Sequence, residues 1–321
     1  MSELAQEIVA RGARSRQAEL ALSRGRSPSS RRAASRWPTR LRLAAAFTLK
    51  GMHGLPTLIG LPYDASSSFL RGAASAPPLI REALHSPASN AWSEGGLELI
   101  AGRNFADAGD VDFADAPTAR DAITRSIHEI VVRGGRPVSL GGDHSVTYPI
   151  LRAVAAAHRD LGDLTIVQFD AHPDLYDSFE GDPFSHACPF ARVLEERLAA
   201  RLVQVGIRTM TGHQREQAAR FGVEVIDMRT WASGVRPLVR GPVYVTIDVD
   251  GLDPAFAPGV SHREPGGLTV RDVLGVMQSL PGPIVGADVV EVNPSQDVNG
   301  MTAVVAAKLV KELIGRMIEV G

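Results

Sequence analysis

The chain has 321 residues, with 34 Lys and Arg against 36 Asp and Glu, a formal net charge of -2, so it presents no overall basic field to nucleic acid or an anionic membrane. Its one cysteine, Cys188, excludes an intrachain disulfide and a Cys-rich zinc site and fits a reducing, cytoplasmic setting. No apolar run reaches the roughly eighteen residues of a spanning helix, and the length suits one large α/β domain.

Residues 1–51 differ from the rest. Arginine is frequent and acids are few, with clusters such as Ser27-Pro28-Ser29-Ser30-Arg31-Arg32, and such a stretch is too polar to bury a face. It reads as a disordered extension, or as a start mis-assigned ahead of Met52. An organellar transit peptide has the same Arg- and Ser-rich composition, and a basic arm for nucleic acid is a further alternative; cytoplasm is the expected location and targeting its alternative.

Residues 52–321 read as one catalytic domain in which short apolar runs alternate with helical patterns. Leu55–Leu61 is a strand, Pro77–Leu84 opens a helix, and Ala119–Val132 is an amphipathic helix with Ile123, Ile127, Ile130 and Val131 on one face. Strand Pro137–Leu140 ends in two glycines, helix Tyr148–His158 leads to strand Leu164–Phe169, and helix Pro189–Arg201 leads to strand Leu202–Val205. A helical stretch His213–Phe221 precedes strand Val223–Ile226, and strands Val243–Ile247 and Ile284–Val290 go with helices Val270–Leu280 and Ala303–Ile318. Near-continuous apolar strands joined through helices predict a parallel sheet covered on both faces, a three-layer α/β/α sandwich. Strand order is not legible from this pattern.

In open parallel sheets ligands bind beyond the carboxyl ends of the strands. Three strand ends carry metal-binding residue types: Gly141-Gly142-Asp143-His144-Ser145, Asp170-Ala171-His172-Pro173-Asp174, and Asp248-Val249-Asp250-Gly251-Leu252-Asp253-Pro254. In an extended segment Asp170, His172 and Asp174 would point to one side, and Asp248 and Asp250 repeat the alternation. Carboxylates crowded in a poorly hydrated cleft repel one another unless cations intervene. The set, Asp170, Asp174, Asp248 and Asp250 with His144 and His172, is too large for one tetrahedral zinc. Its oxygen-rich character suits Mn²⁺, with Mg²⁺, Fe²⁺ and Co²⁺ as chemical alternatives, in a pair of ions about 3.5 Å apart.

These motifs resemble the ureohydrolase family of arginases and agmatinases, together with Ser185-His186-Ala187 and Gly286-Ala287-Asp288-Val289-Val290-Glu291. The likeness extends to plant-type arginases and bacterial relatives through Ser67–Leu70, Asp177–Gly181, Ala257–His262 and Val305–Val310. It implies an arginase-like fold with an eight-stranded, mainly parallel sheet, and a homo-oligomer, a trimer or a hexamer. It implies His144, Asp170, Asp174 and Asp248 on one Mn²⁺, and Asp170, His172, Asp248 and Asp250 on the other, with Asp170 and Asp248 bridging.

The implied reaction is attack of hydroxide on the guanidinium carbon of a small substrate, releasing urea. By resemblance Asp174 handles the proton of the nucleophile, Glu291 binds the guanidinium, and His186 shuttles protons. His262 and Glu264 fall on the substrate rim, and Cys188 is a packing residue. L-Arginine is the preferred substrate, with Arg263 as partner of its α-carboxylate; agmatine and guanidinobutyrate are the alternatives. A catalytically silent metal-binding regulatory subunit and a single-zinc deacylase are readings of other classes, the second disfavoured by His144.

Overall fold

The computed structural model describes residues 54–114, 118–157 and 163–321. The expected extension over residues 1–51 lies outside the described residues, as does His158. Eight strands form one sheet, all paired in parallel: β1 (Pro56–Gly60), β2 (Ala106–Asp110), β3 (Arg136–Leu140), β4 (Thr165–Phe169), β5 (Arg201–Val205), β6 (Glu224–Ile226), β7 (Val243–Asp248) and β8 (Ile284–Val290). Their order is β2-β1-β3-β8-β7-β4-β5-β6. The helices are α1 (Ala76–Leu84), α2 (Ala119–Val132), α3 (Thr147–Ala157), α4 (Pro189–Glu195), α5 (Gly212–Phe221), α6 (Met228–Ala232), α7 (Val270–Ser279) and α8 (Met301–Val320).

Alternation along the strands divides the core in two. Val138, Val167, Val203, Val245 and Ala287 pack with Ile80 of α1, Leu274 of α7 and Leu313 of α8. Ile59, Ile166, Leu202 and Tyr244 pack instead with Ile127 of α2, Ile150 of α3 and Phe190 of α4. Each central strand is buried on both faces because each face meets a helical layer, which is the expected three-layer sandwich.

One boundary and one strand stand out as departures from the sequence reading. The helix from Pro189 stops at Glu195, and Arg197 takes a left-handed backbone (φ 53) before β5. Edge strand β2 was not anticipated: within Ala-Asp-Ala-Gly-Asp only Ala106 is buried, so no apolar pattern marks it. Among the described residues no helix is long and apolar enough to cross a membrane.

The chain winds outward from β1 to β2, returns to β3, crosses to β4, continues to β6, and only then fills the gap with β7 and β8. The four central neighbours β3, β8, β7 and β4 therefore deliver their carboxyl ends to one place, where the strand order reverses.

Candidate metal centre

Beyond β3 the chain turns at Gly141-Gly142. A Cβ on Gly142 would lie 1.6 Å from the Tyr63 carbonyl oxygen, so only glycine permits this approach. Asp143 then caps a short 3₁₀ turn, His144–Val146, by accepting from the Ser145 N–H at 3.1 Å. That turn carries the imidazole of His144 under the ends of β4 and β7. Its Nδ1 lies 3.1 Å from Asp170 Oδ2, 3.0 Å from Asp174 Oδ2 and 3.3 Å from Asp248 Oδ2, and all four residues are buried.

The second group comprises Asp170, His172 and Asp250. His172 Nδ1 is 3.1 Å from Asp250 Oδ2 and 3.6 Å from Asp170 Oδ1. Asp170 thus turns one oxygen to each group. Asp248 joins only the first, and its Oδ1 accepts the Asp250 N–H at 2.8 Å. The simple alternation expected for Asp170, His172 and Asp174 does not hold. Asp174 adopts a left-handed backbone (φ 51), which folds its carboxylate back toward His144 while His172 faces Asp250.

A hydrogen-bond chain beneath the cluster fixes the His144 ring. Thr246 donates its hydroxyl proton to Asp288 Oδ1 at 2.6 Å and so offers a lone pair to His144 Nε2 at 3.0 Å. On this network Nε2 carries the proton and Nδ1 is bare. Buried Nδ1 has no hydrogen-bond partner, and its lone pair points among three carboxylate oxygens. Only a cation makes that arrangement favourable. Without a metal a proton fills the role: burial alone would lower the His144 pKa, but Asp170, Asp174 and Asp248 hold it well above the ordinary value. Burial, then Asp170, push Asp174 up to about 6, and burial, then Asp250 and Asp170, raise Asp248 well above the carboxylate range. An oxygen-rich set with one imidazole per group and no thiolate fits Mn²⁺-type ions.

Thr246 and Asp288 belong to a polar row that the sequence reading missed. Gln204, Gln168, Thr246, Asp288 and Ser139 are paired in register across β5, β4, β7, β8 and β3, all fully buried. Gln204 Nε2 donates to Gln168 Oε1 (2.8 Å), and Gln168 Nε2 donates to Asp170 Oδ2 (2.7 Å). Asp288 also accepts from Tyr244 (2.7 Å) and Thr147 (3.1 Å). Arg208 was likewise unflagged: it donates to the backbone carbonyls of Asp250 (2.6 Å), Gly251 (3.0 Å) and Glu264 (2.5 Å), tying down the loop after β7.

A cleft of about 630 Å³, including open solvent, lies above the cluster and is lined by His172, Asp174, Asp248, Asp250, His186, Glu291 and His262, with Ser68, Tyr176, Phe179, Thr209, Thr211 and Gln214 farther round. Glu291, left-handed at φ 63, accepts through Oε1 from the His144 N–H (2.9 Å) and contacts His186 Nδ1 (2.8 Å). Burial alone would raise the Glu291 pKa, but His186 more than offsets it and keeps the carboxylate charged. Conversely, the Glu291 carboxylate outweighs burial and lifts His186 to about 9.

Arg263 is not among the residues that line the cleft. Its exposed guanidinium donates to the carbonyls of Pro258 (2.8 Å) and Gln296 (3.1 Å), because the loop turns the side chain back along its own path. Cys188 is buried and pushed by burial up to about 12, which leaves it a packing residue.

The Arginase family model matches residues 56–315. Arginase 1, mitochondrial, of Arabidopsis thaliana is 48% identical over 287 residues, covering 84% of this chain and 83% of the relative. Agmatinase, mitochondrial, of Gallus gallus is 36% identical over 291 residues, covering 85% and 84%. The solved arginase from Medicago truncatula superposes with a TM-score of 0.77 at 45% identity, covering 84% of this chain and 89% of that one. The cytoplasmic expectation is overturned here, since the plant relatives bear mitochondrial or chloroplastic names. Cysteine usage had suggested only a reducing compartment, which does not separate the cytoplasm from an organelle matrix.

Proposed function

The chain belongs to the arginase family and is a metal-dependent ureohydrolase, and from that premise we propose that it hydrolyses L-arginine to ornithine and urea at two Mn²⁺ ions. His144, Asp170, Asp174 and Asp248 would hold one ion, and Asp170, His172, Asp250 and Asp248 the other. The observation that carries this reading is the bare, buried His144 Nδ1 among three carboxylates, directly under a cleft walled by a charged glutamate.

When bound, the ions supply hydroxide at neutral pH by lowering the pKa of water. The protein's residues do the rest. Glu291 engages its Oε1 with His144 and His186, which leaves Oε2 to pair with the planar guanidinium and hold its carbon over the cluster. Asp174, placed between the cluster and the cleft, accepts the proton of the nucleophile and passes it toward the leaving amine. His186, charged beside Glu291, supplies a proton to the departing amine.

The names of the plant relatives support arginine. Agmatine is the second reading, favoured by one observation: among the described residues no Lys or Arg lines the cleft to meet an α-carboxylate. Urea release with Mn²⁺, measured on arginine, agmatine and guanidinobutyrate, tests both. The highest kcat/KM is expected on arginine; a preference for agmatine overturns the substrate choice, and no urea from any of the three overturns the activity. The homo-oligomer, a trimer or a hexamer, belongs to the same proposal and light scattering counts it. The Arg- and Ser-rich residues 1–51 support organellar import.

A further inference from the structure

His186 is buried, yet its outer nitrogen meets a residue at the surface. Nε2 lies 2.8 Å from the Ser68 hydroxyl and 3.2 Å from the Ser68 N–H, and Ser68 is exposed at the cleft mouth. The contact is built in. The His186 N–H donates to the Ser66 carbonyl at 3.1 Å, and the Ser66 N–H donates to buried Asp143 at 2.9 Å, so Ser66, two residues before the hydroxyl, is fixed through both its backbone groups.

The two donors at Nε2 are not equivalent. In the neutral ring Nδ1–H points to Glu291 and the Nε2 lone pair accepts from both Ser68 groups. In the charged ring Nε2 carries a hydrogen, which the backbone N–H opposes and only a lone pair can accept. The Ser68 hydroxyl can reverse its role. Glu291, Asp174 and Asp143 face the ring as acids and His262 as a neighbouring imidazole, its ring centroid 5.2 Å away, but among these contacts only Ser68 is bonded to Nε2.

Resting on the ureohydrolase reading, we propose that Ser68 is a positioning residue for His186, accepting the Nε2 proton in the charged state and exchanging it with solvent between turnovers. In each exchange Ser68 Oγ takes the proton from Nε2 while its own proton passes to water. The reverse sequence recharges the ring.

The test compares Mn²⁺-loaded full-length enzyme with Ser68→Ala by urea release from arginine across pH. Without the hydroxyl, Nε2–H faces only an opposing N–H, so the alkaline limb of the kcat profile should move down by about one pH unit, about tenfold in the charged fraction above it. KM should stay within about twofold, with melting temperature and metal content unchanged. Ser68→Thr should restore the wild-type limb and Ser68→Val should not; that pair gives the same answer if alanine disturbs the loop. A superimposable Ser68→Ala profile overturns the inference, as does a rise in KM alone, which makes Ser68 a substrate contact. An inactive wild type on every guanidino substrate would instead sink the reading of function itself.

Discussion

Thr246→Val keeps the shape of the side chain and removes one oxygen, which isolates what the Thr246 hydroxyl does for His144. Two bonds disappear: the acceptor for His144 Nε2–H at 3.0 Å and the donor to Asp288 at 2.6 Å. Asp288 keeps Tyr244 and Thr147, so its loss is partial. His144 is fully buried, and leaving its N–H unpaired costs about 1–3 kcal/mol. Where that cost falls depends on the metal. In the metal-free protein the charged ring can release its Nε2 proton and keep the one on Nδ1, among three carboxylates, which limits the loss. Metal binding requires a bare Nδ1, which forces the proton onto the now unpartnered Nε2. The cost is therefore charged to binding, and Mn²⁺ affinity should fall by roughly 10–100-fold. Chelator-competition titration reads the affinity, and melting of the metal-free protein reads the control, expected to fall less than that of the loaded protein. Wild-type affinity in Thr246→Val, or a metal-free protein destabilised as much as the loaded one, would refute the assignment of the His144 tautomer.

Asp248→Asn removes a charge from buried groups around His144, and activity should fall by at least about a hundredfold with less than the wild-type metal content by elemental analysis; full occupancy and turnover would count against the proposed ligand set. The His186–Glu291 pair raises the folded-state pKa of His186 to about 9, so its stabilisation is complete below about pH 6.5 and is lost as pH rises through about 9. The melting-temperature gap between metal-loaded wild type and His186→Asn should narrow from pH 7 to pH 10, whereas a constant gap would show that the pair does not titrate there. Arg263→Ala should change kcat/KM by no more than about twofold, equally on arginine and agmatine, because the guanidinium is spent on loop carbonyls. A selective loss on arginine would place that side chain in the cleft.

Much of the architecture was legible because parallel strands buried on both faces are nearly continuous apolar runs, and Val243–Ile247 or Ile284–Val290 allow little else. β2 escaped because an exposed edge strand needs no such pattern. The candidate ligands stood out as dense chemistry at strand ends, but the direction of Asp174 did not, since a left-handed backbone at a non-glycine residue is imposed by surroundings rather than by local preference. Arg263 was misplaced for a related reason: its nearness in sequence to the rim says nothing of how the loop turns.

The polar row is the more instructive omission. Gln168 stands two residues before Asp170 and Thr246 two before Asp248, the spacing that puts both members of each pair on one face of a strand. Each reads in isolation as a blemish in an apolar run. A buried polar side chain must nevertheless find partners, and a strand flanked by strands can find them only across the sheet or at its end. Gln168 does both, joining Gln204 on β5 and Asp170 at the end of its own strand, and Thr246 joins Asp288 on β8 and His144 from β3. Taken together, such interruptions narrow which strands can be adjacent: Thr246 calls for a neighbouring strand that bears a buried acceptor, and β7 lies between two such strands, β4 with Gln168 and β8 with Asp288. Of the two, Asp288 is the acceptor that Thr246 uses, and that pair sets the proton on the imidazole under the cleft.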